Sequence, residues 1–166
     1  MPDPFALFAR SLRGPSGESP FAALDRLCQN VVGHGLFSCS RFDLDARGGG
    51  TAARIYSSDE ENYPTSGVKD IVPNRWTGIV VDRHETFVAN SVEEFSDVFP
   101  DHAFIASLGL GSVVNLPVLV RGTFLGTVNI LAEAGFFTSG RLSRLGQLEA
   151  PSQLAFLIER QADTAH

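Results

Sequence analysis

Two apolar runs rich in β-branched residues, 111–120 and 123–131, are separated only by Arg121-Gly122. So short a link between strand-like segments makes a hairpin, and the chain must therefore build an antiparallel sheet around it. Asn115 and Asn129 each interrupt an otherwise apolar strand, where an unpaired amide costs about 1–3 kcal/mol. Each needs a partner, and the register decides how the two relate. A two- or four-residue loop centred on Arg121-Gly122 sets Asn115 opposite Val128 and Asn129 opposite Val114, on opposite faces of the sheet. A three-residue loop sets the asparagines directly opposite each other on one face. Both registers are open, as is whether the amides meet a ligand or tie down a neighbouring loop backbone.

The flanking sequence supplies helices to cover that sheet. Ser19-Pro20 reads as an N-cap followed by proline at the first helical position, and Phe21, Leu24, Leu27, Cys28, Val31 and Val32 recur at helical spacing up to Gly33-His34-Gly35. Strand-like runs at 36–43 and 51–57 flank the turn Gly48-Gly49-Gly50. The polar stretch 58–74 reads as a long surface connection. Residues 73–83 form a short helix with Trp76, Ile79 and Val80 on one face, and 86–90 a short strand. Ser91 with Glu94 makes a capping box for a helix presenting Val92, Phe95, Val98 and Phe99 and stopping at Pro100, after which 101–108 adds a helical turn. Residues 138–161 form a terminal helix that Pro151 kinks or breaks. An irregular arm over 1–17, one domain over 18–162 and a tail over 163–166 complete the division. The order of elements predicts an α+β sandwich.

Composition narrows the function classes. A length of 166 residues suits one domain. The net charge is −6, and Arg54, Lys69, Arg75 and Arg83 stand apart, so nucleic acid is not an expected partner. No window approaches the ~20 apolar residues of a membrane span, and Met1-Pro2-Asp3-Pro4 lacks the start of a signal peptide. The expected location is the cytoplasm, with Cys28 and Cys39 as reduced core thiols. No cysteine or histidine spacing supports a metal, and Gly109-Leu110-Gly111-Ser112 lacks the ending of a phosphate loop. Residues 48–53 fit a dinucleotide fingerprint loosely but lead into a strand rather than a helix. No catalytic residue, metal or cofactor is assigned.

The segment Gly109-Leu110-Gly111-Ser112-Val113-Val114-Asn115-Leu116-Pro117-Val118, followed by Gly122-Thr123-Phe124-Leu125-Gly126-Thr127-Val128-Asn129-Ile130-Leu131, resembles the paired strands of GAF domains. Residues 78–90 and the acidic helix from Ser91 fit the same pattern, and the resemblance extends over about residues 19–160. It implies a GAF/PAS-like central antiparallel sheet, with terminal helices on one face and a ligand cavity under short helices and loops on the other. On that layout the ligand-facing candidates are Tyr56, Tyr63, Trp76, Phe95, Phe99, His102, Asn115 and Asn129.

The resemblance implies a stand-alone sensory or regulatory domain that binds a small cytosolic metabolite and signals through helix-mediated association, as a homodimer. Without a helix-turn-helix, kinase or cyclase segment, a separate output protein is implied. A different reading is a ligand-free dimerisation or assembly module, its cavity filled by its own side chains. A third is a small enzyme on the same scaffold. Some GAF proteins reduce free methionine sulfoxide with a cysteine on the pocket loops, but Cys28 falls on the first helix and Cys39 on a strand, so that activity is not carried over.

Overall fold

The computed structural model describes residues 2–15 and 17–164. Ser19 accepts a hydrogen bond from the Phe21 amide and Pro20 opens helix α2 (Pro20–Val31), as the sequence predicts. Two long strands follow, β1 (Leu36–Leu44) and β2 (Gly50–Ser57), then a two-residue edge strand β3 (Lys69–Asp70) inside the long connection. The short helix α3 (Arg75–Thr77) runs into a π-helical turn over Gly78–Asp82, and β4 (Phe87–Ala89) leads to α4 (Val92–Phe95) and α5 (His102–Ser107). The hairpin strands are β5 (Ser112–Val120) and β6 (Thr123–Ala132). Among the described residues these strands form one six-stranded sheet, antiparallel at every pairing, in the order β3-β2-β1-β6-β5-β4.

Three expectations need correction. Residues 4–11 are not irregular: Asp3 caps a helix, Pro4–Ser11, that lies against α2 and buries Phe8, and it becomes α1. The terminal helix is interrupted, but not at Pro151. A short helix α6 (Ser139–Leu142) and a 3₁₀ turn (Leu145–Leu148) come first, and α7 runs over Glu149–Thr164. Pro151 therefore stands in the first turn of α7, where its missing N–H has no intrahelical role. Helix α4 is a single turn, and its box is offset: Ser91 Oγ accepts from the Glu94 amide, while the Glu94 carboxylate accepts from the Asn90 amide. Of the tail over 163–166, Asp163 and Thr164 continue α7 and the last two residues lie outside those described.

The sheet separates two apolar layers. On one side α1, α2 and α7 cover Phe37, Cys39, Val114, Val128 and Ile130, with Leu24, Phe21 and Phe156 packed from the helices. Each such large side chain contributes about 1.5–3 kcal/mol on burial. On the other side the short elements between β3 and β5 cover Leu36, Phe42, Val113, Phe124 and Leu131 with Val80, Phe95 and Ile105. This is the α+β arrangement expected from the order of elements.

The hairpin register departs from simple counting. Arg121 and Gly122 both have positive φ (50° and 84°), the backbone of a two-residue hairpin turn. Val120 pairs with Thr123 and Leu119 with Phe124, yet Val118 pairs with Gly126, so Leu125 is an extra residue in β6. That bulge shifts the register by one, and Asn115 faces Asn129 after all. Leu125 and Gly126 then both turn toward the helices. A Cβ on Gly126 would collide with the Ser40 carbonyl oxygen and stand 2.7 Å from Phe156 Cε1. A second bulge lies in β2, where Cys39 pairs with Tyr56 and Ser40 with Arg54, leaving Ile55 over.

Candidate functional site

On the side of the sheet away from the terminal helices lies an open cleft of about 190 Å³. Its floor is Ser40 and Phe42 from β1, Arg54 from β2, Val113 and Asn115 from β5, and Thr127, Asn129 and Leu131 from β6. Tyr63 from the long connection, Trp76 from α3, and Phe99, Asp101 and Ile105 from around α5 complete it.

Trp76 is held in place from its own backbone outward. Asn74 and Thr77 cap α3 reciprocally: Asn74 Oδ1 accepts from the Thr77 amide at 3.0 Å and Thr77 Oγ1 accepts from the Asn74 amide at 2.9 Å. Asn74 Nδ2 also donates to the Val98 carbonyl at 3.1 Å, and Arg75 grips the Asp97 carboxylate with Nε and Nη2 at 3.0 and 2.8 Å. So fixed, the indole stacks on Phe42 at 5.9 Å between ring centres and tilts against Phe99 at 6.3 Å.

From Trp76 a chain of hydrogen bonds crosses the floor. The indole Nε1 donates to Asn115 Oδ1 at 2.8 Å, Asn115 Nδ2 donates to Asn129 Oδ1 at 2.8 Å, and Asn129 Nδ2 donates to the hydroxyls of Ser38 and Ser40 at 3.1 and 3.2 Å. Because an indole nitrogen only donates, it fixes the orientation of both amides. The serine hydroxyls at the far end act as acceptors, and each keeps its own O–H to donate. The amides thus find side-chain partners rather than a loop backbone.

The wall beside β2 carries the charge. Arg54 lies over the Tyr63 ring at 3.6 Å and donates through Nη1 to the Pro64 carbonyl at 2.8 Å. The Arg54 amide donates to Ser66 Oγ and the Ser66 amide to the Arg54 carbonyl, which pins the connection to the strand. Burial pushes the Tyr63 phenol above its ordinary value, nearby Arg54 opposes that shift, and nearby Asp101 adds to it. Asp101 occupies the N-cap position of α5 without making the side-chain capping bond.

Five of the eight candidate residues, Tyr63, Trp76, Phe99, Asn115 and Asn129, line this cleft. Phe95 is fully buried in the layer behind it. His102 is at the start of α5, its Nδ1 2.8 Å from the Phe99 carbonyl oxygen, and does not line the cleft. Tyr56 is on the opposite face, where its hydroxyl donates to Asp25 Oδ2 at 2.8 Å. The Ile55 bulge is the cause: plain alternation would place Tyr56 beside Arg54. Ser40, Phe42, Arg54, Asp101, Ile105, Val113, Thr127 and Leu131 line the cleft without having been selected from sequence. For Val113, Thr127 and Leu131, strand alternation counted from the two asparagines was the available signal.

Cys28 and Cys39 are both buried among the terminal helices, and burial pushes both thiols up. Among the described residues no group of three His, Cys, Asp or Glu side chains is placed to hold a metal ion, and no helix is long and apolar enough to cross a membrane. A second cavity of about 220 Å³ lies between β5 and the start of α7, lined by Leu116, Leu119, Leu145 and Ser152 among others. It is slightly larger, but polar groups held by a hydrogen-bonded chain converge only on the first.

The chain matches no protein-family model and no curated protein sequence. Its fold is similar to that of the GAF domain of a two-component sensor histidine kinase from Bacillus halodurans, with a TM-score of 0.67 at 14% identity over 90% of this chain and 99% of that one. It is similar to the blue-light absorbing form of the PixJ GAF domain of Thermosynechococcus elongatus, with a TM-score of 0.61 at 11% identity and 88% of each chain covered. A free methionine-R-sulfoxide reductase from Neisseria meningitidis, solved in complex with its substrate, gives 0.55 at 15% identity over 96% of this chain and 89% of that one.

Proposed function

We propose that this chain, which has the fold of a GAF domain, is a sensory domain that takes a small cytosolic metabolite into the cleft and passes its occupancy to a separate output protein. The observation that carries the reading is the hydrogen-bonded chain from Trp76 through Asn115 and Asn129 to Ser40, which ends in an open cleft. A site with an apolar lining and a few oriented polar groups has the usual make-up of a small-molecule pocket. The output route is through the terminal helices, because the floor strands β1, β5 and β6 are also the strands on which α2 and α7 pack.

Thermal-shift measurement against a metabolite library tests this. At least one compound class should raise the melting temperature by several degrees, and Val113→Phe, which places a ring in the floor, should remove the shift while the variant stays folded. A library with no stabilising compound would overturn the reading. It would favour the ligand-free assembly module, to which the exposed Leu154 and Leu157 of α7 belong.

A further inference from the structure

We infer that the cleft is built for a small zwitterion, an α-amino acid with an uncharged side chain, whose carboxylate meets Arg54 and whose ammonium meets Asp101. This rests on the reading of the cleft as a ligand site. Both charged residues line the same cleft, and among the described residues no ion pair joins them. Arg54 is half-buried and held from below by the Tyr63 ring and from the side by the Pro64 carbonyl. One face of its guanidinium is thus fixed, and the fork retains donors suited to a carboxylate.

Asp101 makes the complementary case. An aspartate at an N-cap ordinarily accepts from its own helix. Here the bond is not made, and the residue is exposed to solvent where it lines the cleft. Tyr63 lines the same cleft, with the Arg54 guanidinium over its ring. The mouth therefore presents one positive and one negative group to the same small volume.

Size and lining settle the rest of the class. The cleft, at about 190 Å³, is below the ~300–1,000 Å³ of drug-sized sites. Beyond the charged mouth the lining is Phe42, Ile105, Val113 and Leu131, with Ser40 and Thr127 as neutral hydroxyls. A second full charge on the ligand side chain would be buried there without an opposite partner.

Titration calorimetry with L-serine, L-valine and L-methionine, each compared with its N-acetyl and carboxamide forms, tests the inference on the unaltered protein. At least one free amino acid should bind, and blocking either end should weaken it tenfold or more. Asp101→Asn should abolish discrimination against the N-acetyl form, and Arg54→Gln discrimination against the carboxamide, with circular dichroism confirming both folds. If a blocked form, a simple carboxylate such as propionate or an amine such as propylamine binds as tightly as the amino acid, the zwitterion is overturned and the cleft reading survives. The same holds if only another class from the metabolite library binds. If nothing in the panel or the library binds, the cleft reading itself falls.

Discussion

A buried amide has two hydrogens and two lone pairs to satisfy, and Asn129 accepts one bond from Asn115 and donates both hydrogens to two serines. Asn129→Leu leaves Asn115 Nδ2 facing a methyl group, and the expected loss is about 1–3 kcal/mol, measured by urea unfolding. The double variant Asn115→Leu/Asn129→Leu should cost less than the sum of the singles, because it removes both ends of one bond. Gly126→Ala is a harsher change. Its new methyl would meet the Ser40 carbonyl and the Phe156 ring, so a loss of about 4 kcal/mol or more, or failure to fold, is expected in the same measurement. That Asn115 and Asn129 need partners was readable from their apolar strands. That they partner each other was not, because a bulged leucine looks like any other strand leucine. Trp76 was readable as a roof residue; Arg54 was not, since an arginine at mid-strand carries no mark of which face it takes.

Strands and helices were legible where periodicity runs long, as in α2, β1, β5 and β6, and illegible where tertiary contacts set the ends. The last helix shows this: its break falls at the 3₁₀ turn over Leu145–Leu148, whose two leucines are both buried, whereas the proline three residues on merely fits the first turn of α7. The Pro4–Ser11 helix escaped notice because its Pro and Gly neighbours read as a loop, while its support comes from packing against α2. Helix α7 also carries a pH dependence. Glu159 is raised above its ordinary 4.5, first by burial and then by Asp163, against the opposing pull of Arg41. A carboxyl raised in the fold binds more protons there than when unfolded, so its contribution is fully present below the ordinary value and is lost as pH rises through the raised one. Unfolding free energy followed upward from about pH 4, near the ordinary carboxyl value, should fall less steeply in Glu159→Gln than in the unaltered chain.

At the scale of the whole molecule, one sheet serves two layers that differ in kind. The helical layer exposes apolar side chains on the outer side of α7, where Leu154 and Leu157 are 44% and 43% exposed. If helix-mediated association carries the output, light scattering should give a dimer mass for the unaltered chain and a monomer mass for Leu154→Glu/Leu157→Glu; a monomer throughout removes that route. The other layer holds the cleft, and the only tryptophan of the chain stands in its roof. That indole is the chain's single tryptophan fluorophore and is part of the cleft lining. If the cleft takes a ligand, filling or draining it should register as a change in the emission wavelength and intensity of unlabelled protein.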